Sequence, residues 1–411
     1  MPPSYANQFF RHRINQLFSL GLVATLSLLT LKTCAVVIFA LEPPHLTDFI
    51  QYWSASQLLN STQNPYEPGS MLEIQKHQFA DTVSPTMMWN PPWVLLFFAP
   101  VVGFSLPLAT SLWAFTNVLL LTSSAIISWR IISDKWQFCW PFFLAFSFLF
   151  PIWNTVWFGQ ASGLLALASA LLYFALSTRR DFLTGVALAL FTIKPHVIYL
   201  VALIVLWQVL REKRYRILAG GTSMMAVFAL WSFYKSPASI QQWVEAMSVN
   251  QDGAIKRVEW TVATLVGGTR LAYSQLFGRY PLSPIAIIPG ITAVVALWLL
   301  VSRRVQLDWS RSYLPLACLS LFTSPYGWIF DAAMLIPVHL ALVYNCLKGA
   351  KVSAKAPLLV AAYFSLHLGC YLAAISGGFY QHNFFFFSFA VLLFWYLADK
   401  PGSSFTKPEY S

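Results

Sequence analysis

The chain has 411 residues, of which 57% are hydrophobic and only 10% are charged. Soluble globular domains carry about 25% charged residues, so this composition excludes a soluble fold. The formal net charge of +11 does not indicate a nucleic-acid partner, because the basic residues lie in short segments between apolar runs. The sequence therefore predicts an all-α polytopic membrane protein.

Apolar runs that could cross a bilayer recur along the whole chain. A span needs about 20 apolar residues, or somewhat fewer when it is broken or tilted. We expect about twelve transmembrane helices in a single domain over 1–400, followed by a cytoplasmic tail at 401–411. The approximate spans are 17–41, 106–129, 137–152, 157–176, 183–193, 197–210, 217–234, 284–302, 312–324, 328–346, 356–376 and 384–398.

The basic residues predict the orientation of these spans. With a cytoplasmic N-terminus, every basic cluster falls on the cytoplasmic side, as the positive-inside rule requires. We therefore expect an integral plasma (inner) membrane protein with both termini cytoplasmic and long extracytoplasmic loops at 42–91 and 235–283. The basic clusters are Arg11 and Arg13, Arg179 and Arg180, residues 211–216, Arg303 and Arg304, and Lys348 and Lys351.

The first outer loop begins with an acidic residue, Asp48, directly after the first span. We expect a helix over 48–59 that lies at the membrane interface, with Phe49, Tyr52 and Trp53 on one side. Partial burial against these aromatic side chains would raise the pKa of the carboxyl group toward that of a useful general base. A simple helix N-cap at the membrane surface is the alternative.

Two Asn-Pro turns follow in the same loop, at Asn64-Pro65-Tyr66 and at Asn90-Pro91-Pro92. Asn-Pro is a turn signal, so both motifs either punctuate the loop or hold aromatic side chains over a sugar or lipid. The apolar segment 92–104 is short for a span, and we expect it to be re-entrant or interfacial.

The short apolar runs 183–193 and 197–210 meet at Lys194-Pro195-His196, where proline ends a helix. We expect a hairpin of two short helices with Lys194 and His196 at its buried tip. A lysine in an apolar hairpin is costly unless it is paired. It either binds a lipid phosphate as a point charge or extends its ammonium group to the surface.

Other polar residues lie where later spans begin. Gln160 either caps a helix or belongs to the site. Asp331, just after Trp328, is the only acid inside a predicted span, and it either pairs with Lys194 or caps its own helix. Arg257, in the second long loop, is either a surface charge or a phosphate ligand. So few ionisable residues in the spans argue against an ion-coupled transporter but not against a facilitator or lipid flippase.

No Walker loop, dinucleotide fingerprint, zinc motif or Gly-x-Ser-x-Gly elbow occurs in the sequence. Without a nucleotide-binding loop, a sugar-transferring enzyme of this kind needs a lipid-linked donor. No cofactor or metal is expected, because the lone carboxylate of Asp48 makes a poor Mg²⁺ site. The five cysteines lie in or beside apolar runs and look like small core residues: Cys34, Cys139, Cys318, Cys346 and Cys370.

In this order, the motifs resemble glycosyltransferase family 87, polytopic enzymes of the GT-C superfamily related to polyprenol-phosphate-mannose-dependent mannosyltransferases. The resemblance runs from about residue 15 to 400. The matching pieces are Asp48-Phe49-x-x-Tyr52-Trp53-x-Ala55, Asn64-Pro65-Tyr66, Asn90-Pro91-Pro92 leading to Ala99-Pro100, Trp113 and Asn117, Phe158-Gly159-Gln160, Ile193-Lys194-Pro195, and Ser324-Pro325-x-x-Trp328.

The resemblance implies a GT-C-type fold with an outward-facing active site and an inverting transfer from a polyprenyl-phosphate sugar to a lipid or glycan acceptor. The sugar would be a hexose or pentose, with mannose favoured. Asp48 matches the family's acidic residue after the first span and would be the general base, and Lys194 would neutralise the leaving phosphate. The other expected substrate-binding residues are Tyr52, Trp53, Asn64, Tyr66, Asn90, Gln160, His196, Arg257, Trp328 and Asp331.

Two non-enzymatic alternatives remain at this stage. A lipid or solute transporter would tolerate changes at Asp48 and depend on residues that line a path through the membrane. A family member that serves as an assembly subunit would have a stable partner and no turnover.

Overall fold

The computed structural model describes residues 48–133, 149–249, 262–302, 307–349, 355–376 and 384–398. Within these ranges every regular element is helical and no strand occurs, in agreement with the expected all-α class. The expected first span at 17–41, most of the span at 137–152, Arg257 and the tail at 401–411 lie outside the described residues.

The described helices follow the order of the apolar runs. The α-helices are α1 (Phe49–Asn60), α2 (Pro68–Gln78), α3 (Leu95–Phe98), α4 (Leu106–Ser133), α5 (Phe150–Phe158), α6 (Ser162–Ser177), α7 (Asp181–Leu190), α8 (Tyr199–Glu212), α9 (Tyr215–Lys235), α10 (Ser239–Val249), α11 (Leu265–Phe277), α12 (Ser283–Ser302), α13 (Trp309–Phe322), α14 (Ile336–Gly349), α15 (Lys355–Ser376) and α16 (Phe387–Ala398). Short 3₁₀ helices lie between them at Pro92–Val94, Phe191–Ile193, Pro195–Val197 and Ile329–Leu335.

Four helices in the described part of the chain are long and apolar enough to cross a membrane, namely α4, α9, α12 and the composite Ile329–Cys346. Shorter apolar helices occupy other expected spans, including α6, α7 and α16. The segment 92–104 contains a 3₁₀ turn and the single-turn α3, and hence no helix that could cross. These helices support a membrane protein, while the total of about twelve spans stays a prediction.

The centre of the described bundle is formed by α6 and the Ile329–Leu335 helix. Twelve of the sixteen residues of α6 are buried, and the hydroxyl group of Ser169 donates a hydrogen bond to the carbonyl oxygen of Met334 at 2.6 Å. By contrast, Leu300 is the one buried residue of α12, and six of its large apolar side chains are exposed: Ile287, Ile291, Val294, Val295, Trp298 and Val301. An apolar helix exposed in this way fits contact with lipid rather than with water.

The pair α7 and α9 packs more extensively than any other two elements of the described chain. A Cβ atom at Gly185 would lie only 1.9 Å from the carbonyl oxygen of Ile217, so the two backbones approach directly. Small residues allow this kind of close crossing between membrane helices. At the ends of the two helices, Arg214 Nη2 donates to Asp181 Oδ1 at 2.5 Å. The pair therefore holds α7 firmly, and with it the chain break at Lys194.

The helix expected over 48–59 is confirmed as α1, but its expected one-sided packing is wrong. Ten of its twelve residues are buried. The chain after Pro92 folds back over α1, where Trp53 Nε1 donates to the carbonyl oxygen of Phe104 at 3.2 Å and Gln57 Nε2 donates to that of Val102 at 2.7 Å. This segment therefore covers part of the surface of α1.

The expected role of the cysteines as core residues is confirmed where the structure describes them. Cys318, Cys346 and Cys370 are buried and form no disulfide. Cys34 and Cys139 lie outside the described residues.

Candidate functional site

A break between α5 and α6 forms one wall of the candidate site. Gly159 ends α5 with φ of +62°, in the left-handed region that favours glycine, and a Cβ atom there would lie 2.6 Å from Cβ of Phe49. Trp113 Nε1 donates to the carbonyl oxygen of Gly159 and Asn117 Nδ2 donates to that of Gln160, both at 3.0 Å. The backbone before α6 is thus fixed, and α1 lies directly against it.

Asp48 is held by a side-chain amide and not by its own helix. It occupies the N-cap position of α1, but its backbone is already helical (φ −58°, ψ −14°) and its carboxylate caps no backbone N–H. Instead, Gln160 Nε2 donates to Asp48 Oδ2 at 2.6 Å. The N-cap interpretation of Asp48 is therefore wrong. Capping by Gln160 is wrong as well, because Ala161 is the N-cap of α6 and no side chain caps that helix.

Burial raises the pKa of Asp48 above its ordinary value, while the hydrogen bond from Gln160 and the positive charge of Lys194 oppose that rise. The hydroxyl oxygen of Tyr52 lies 3.1 Å from Gln160 Oε1 and 3.3 Å from Asn90 Oδ1, and it can donate to either. Because Tyr52 occupies the amide oxygen of Gln160, the amide nitrogen is turned toward the carboxylate. The pKa of Tyr52 is raised by burial, so its hydroxyl group stays protonated at neutral pH.

Asn90 joins the first loop to the chain just before Lys194. Its Nδ2 atom donates to the carbonyl oxygen of Ile193 at 3.1 Å, and its backbone carbonyl oxygen accepts from the Tyr66 hydroxyl group at 2.9 Å. Asn64 makes a local turn, in which its Oδ1 atom accepts from the backbone N–H of Tyr66 at 2.9 Å. Tyr66 and Asn90 thus hold the first loop against the backbone that precedes Lys194. The contact of Asn64 is local and fits the alternative in which its motif only forms a turn of the loop.

Lys194 and Asp331 form a buried ion pair. Lys194 Nζ lies 2.8 Å from Asp331 Oδ1 and 4.8 Å from the ring centre of Phe330. Asp331 Oδ1 also accepts from the Ser162 hydroxyl group at 2.7 Å, and Oδ2 accepts from the backbone N–H of Trp328 at 3.0 Å. Asp331 therefore pairs with Lys194 and caps its own helix at once. The snorkelling interpretation of Lys194 is wrong, because only 7% of the residue is exposed.

An aromatic corner lies beside this ion pair. The ring of His196 packs edge-on against Tyr326, with centroids 5.6 Å apart. Trp328 Nε1 donates to the Tyr326 hydroxyl group, and the Trp328 ring stacks on Phe330 at 6.0 Å. Trp53 bonds to the 92–104 segment as described above and makes no contact with this corner among the described contacts.

Electrostatic effects connect Asp48 with the Lys194–Asp331 ion pair and with Tyr326. The charge of Lys194 acts on the carboxyl group of Asp48, and the charges of Asp331 and Asp48 both act on the Tyr326 hydroxyl group. The described residues include no cluster of three or more His, Cys, Asp or Glu side chains that could hold a metal ion. The arrangement offers one carboxylate of raised pKa near one cation, which suits proton abstraction beside an anionic group.

The sequence did not identify Ser162 or Phe330 as site residues. Ser162 bonds to Asp331 across 169 positions of the chain, and Phe330 supplies the ring against Lys194. A serine near a helix start and a phenylalanine in an apolar run carry no pattern that would single them out.

The model of glycosyltransferase family 87 matches residues 89–325, which is more than half of the chain. That range includes Asn90, Gln160 and Lys194, whereas Asp48 and Asp331 lie outside it. No curated protein and no solved structure matches the chain. The resemblance found in the sequence is confirmed, and the chain belongs to glycosyltransferase family 87.

Proposed function

We propose that this glycosyltransferase moves a hexose or pentose, with mannose favoured, from a polyprenyl-phosphate donor to a lipid or glycan acceptor at the outer face of the membrane. The observation that carries the proposal is the state of Asp48. Its carboxylate takes no part in helix capping, is oriented by Gln160, and has a buried cation, Lys194, within electrostatic reach.

Asp48 acts as the general base in this mechanism. It takes the proton of the acceptor hydroxyl group as that oxygen attacks the anomeric carbon, and the bond from this carbon to the donor phosphate breaks with inversion. Gln160 occupies Oδ2, and no described residue hydrogen-bonds to Oδ1, which leaves Oδ1 for the acceptor. The raised pKa of Asp48 favours acceptance of the proton during the transfer.

Lys194 stabilises the leaving group. The phosphate gains a second negative charge when the sugar departs, and an ammonium group held nearby in a partly dry site stabilises that charge. The ammonium group has three N–H donors, and among the described residues it donates one hydrogen bond, to Asp331. The phosphate leaves without a proton, so one carboxylate suffices, whereas hydrolysis of an ordinary glycoside uses two.

The remaining expected residues divide by their contacts. Tyr52 orients Gln160, and Asn90 fixes the chain before Lys194, so both act as positioning residues. Trp328 lies next to the ion pair, where its backbone N–H donates to Asp331, and it stays a candidate substrate contact. Arg257 stays a candidate phosphate ligand. Trp53, Asn64 and Tyr66 have structural contacts that account for them, and the proposal assigns them no substrate contact.

Sugar transfer by the purified protein in lipid nanodiscs tests the proposal, with a panel of polyprenyl-phosphate sugars as donors. Asp48→Asn keeps the size of the side chain and its contact with Gln160 but cannot accept the proton. We expect at least about a hundredfold loss of the transfer rate. Asp81→Asn is the matched control, because Asp81 is exposed, and it should transfer as fast as the wild type.

Two results would overturn the mechanism. If every donor and acceptor pair is inert with wild-type protein, or if Asp48→Asn transfers as fast as the wild type, Asp48 is not the base of a transfer reaction. Flux of a lipid through proteoliposomes that is unchanged in Asp48→Asn would then favour the transporter.

A further inference from the structure

His196 has hydrogen-bonding capacity that the protein does not use. Neither ring nitrogen bonds to any described residue, and Nε2 is buried. A buried polar atom without a partner is destabilising, so packing against Tyr326 alone does not account for a histidine at this position. A leucine or phenylalanine would fill the same space without that cost. Because His196 lies close enough to Lys194 and Asp331 for their charges to act on it, a substrate bound at the ion pair can supply a partner for this nitrogen.

The surroundings of His196 favour a neutral partner over a phosphate. Burial and the positive charge of Lys194 lower the pKa of His196, and the negative charge of Asp331 opposes them less strongly than burial. At neutral pH the imidazole is therefore uncharged, with one N–H donor and one acceptor nitrogen. That pair of groups matches a hydroxyl group, whereas the ammonium group of Lys194 matches the phosphate.

The rings next to His196 suit a sugar. Tyr326 and Trp328 meet at 88° with centroids 5.6 Å apart, which forms an aromatic corner beside the imidazole. Binding sites for small molecules are mostly apolar and aromatic, with a few polar groups that fix the orientation of the ligand. A hexose presents C–H groups to such rings and hydroxyl groups around its rim.

We propose that His196 hydrogen-bonds one hydroxyl group of the donor sugar and thereby determines which sugar the enzyme accepts. This inference rests on the transfer reaction proposed above and adds to it the residue that recognises the sugar. A site built to bond a hydroxyl group discriminates against the analogue that lacks it, because the polar group of the site is then left unpaired.

Deoxy donors test this role. We would measure kcat/KM for polyprenyl-phosphate mannose, or for whichever sugar the wild type consumes, and for the donors that lack the hydroxyl group at C2, C3, C4 or C6. The variants are His196→Leu, which cannot hydrogen-bond, and His196→Gln, which keeps an N–H donor. His77→Leu is the matched control, because His77 is an exposed histidine of α2.

In the wild type, we expect the removal of one particular hydroxyl group to lower kcat/KM roughly 5- to 100-fold through His196. In His196→Leu the deoxy donor that lacks this hydroxyl group should have about the same kcat/KM as the complete donor, while the penalties at the other carbons stay. His196→Gln should restore part of the lost penalty. Each penalty is a ratio within one variant, so it does not depend on how much of that variant is folded.

If the penalty for each deoxy donor is the same in His196→Leu as in the wild type, the inference is overturned, while the transfer reaction stays in place. A wild type that transfers no sugar would overturn both. If the same penalty falls in His77→Leu, the result also counts against His196, because the effect would then not be specific to the site.

Discussion

Replacement of Lys194 by methionine should leave a buried charge without its cation. The side chain of Asp331 has no exposed surface, and of its contacts with described residues the hydrogen bonds from Ser162 and from the backbone of Trp328 would remain after the change. Removal of one partner of a buried ion pair costs about 3–5 kcal/mol. Because the two hydrogen bonds remain, we expect a loss near the lower end, about 3 kcal/mol.

The double variant Lys194→Met/Asp331→Asn separates stability from activity. It removes both charges, and the single oxygen of asparagine keeps one of the two hydrogen bonds made by Asp331, either that from Ser162 or that from the backbone N–H of Trp328. Its free energy of unfolding should return to within about 1 kcal/mol of the wild type, which corresponds to a coupling energy of about 2 kcal/mol or more between the two positions. Sugar transfer should not return, because the cation that stabilises the leaving phosphate is still absent.

The assay is unfolding in mixed micelles, followed by tryptophan fluorescence, for the wild type, both single variants and the double variant, with transfer rates measured on the same preparations. Additive losses of stability would show that the two side chains do not form a buried pair. Recovery of transfer in the double variant would show that Lys194 has a structural role alone and would refute its assignment to the phosphate.

Three further changes test other contacts. Gln160→Leu removes a hydrogen bond that lowers the pKa of Asp48, so the acid limb of the pH–rate profile, which requires the deprotonated base, should move to higher pH. Gly159→Ala forces a left-handed alanine against Phe49 and should lower the free energy of unfolding by about 2 kcal/mol or more. Gly185→Leu should separate α7 from α9 and lower the free energy of unfolding by about 3 kcal/mol or more, as measured by unfolding in micelles.

Gly103→Ala is the control for both glycine variants, because a Cβ atom there would meet nothing within 4 Å. It should leave stability nearly unchanged. An equal loss in this control would indicate a general effect of the substitutions and not the close contacts described here. For Gln160→Leu, an acid limb that stays in place would show that the amide does not act on the base.

The helices could be predicted where the apolar runs are bounded by charge or proline. The span expected at 217–234 is observed as Tyr215–Lys235, and the hairpin break was placed correctly at Lys194-Pro195. Both depend on local features, namely hydropathy over a window and the missing N–H of proline.

The contacts of the site could not be predicted, because they join distant parts of the chain. Asp48 and Gln160 are 112 positions apart, and Lys194 and Asp331 are 137 apart. The sequence limited Asp331 to two roles, and the structure shows that each carboxylate oxygen serves one of them. Hydropathy also could not show that α1 is buried on nearly every side, since a covering segment leaves no periodic signal.

The helix breaks that form the site leave backbone carbonyl groups without helical partners, and nearby side chains satisfy them. Asn90 bonds to the carbonyl oxygen of Ile193, Asn117 to that of Gln160, and Thr155 to that of Phe330. Substitution at these positions is therefore restricted by the need to satisfy these backbone carbonyl groups as well as by the reaction. These side chains support the backbone whether or not the protein is active, so their presence in a relative indicates the fold and not turnover.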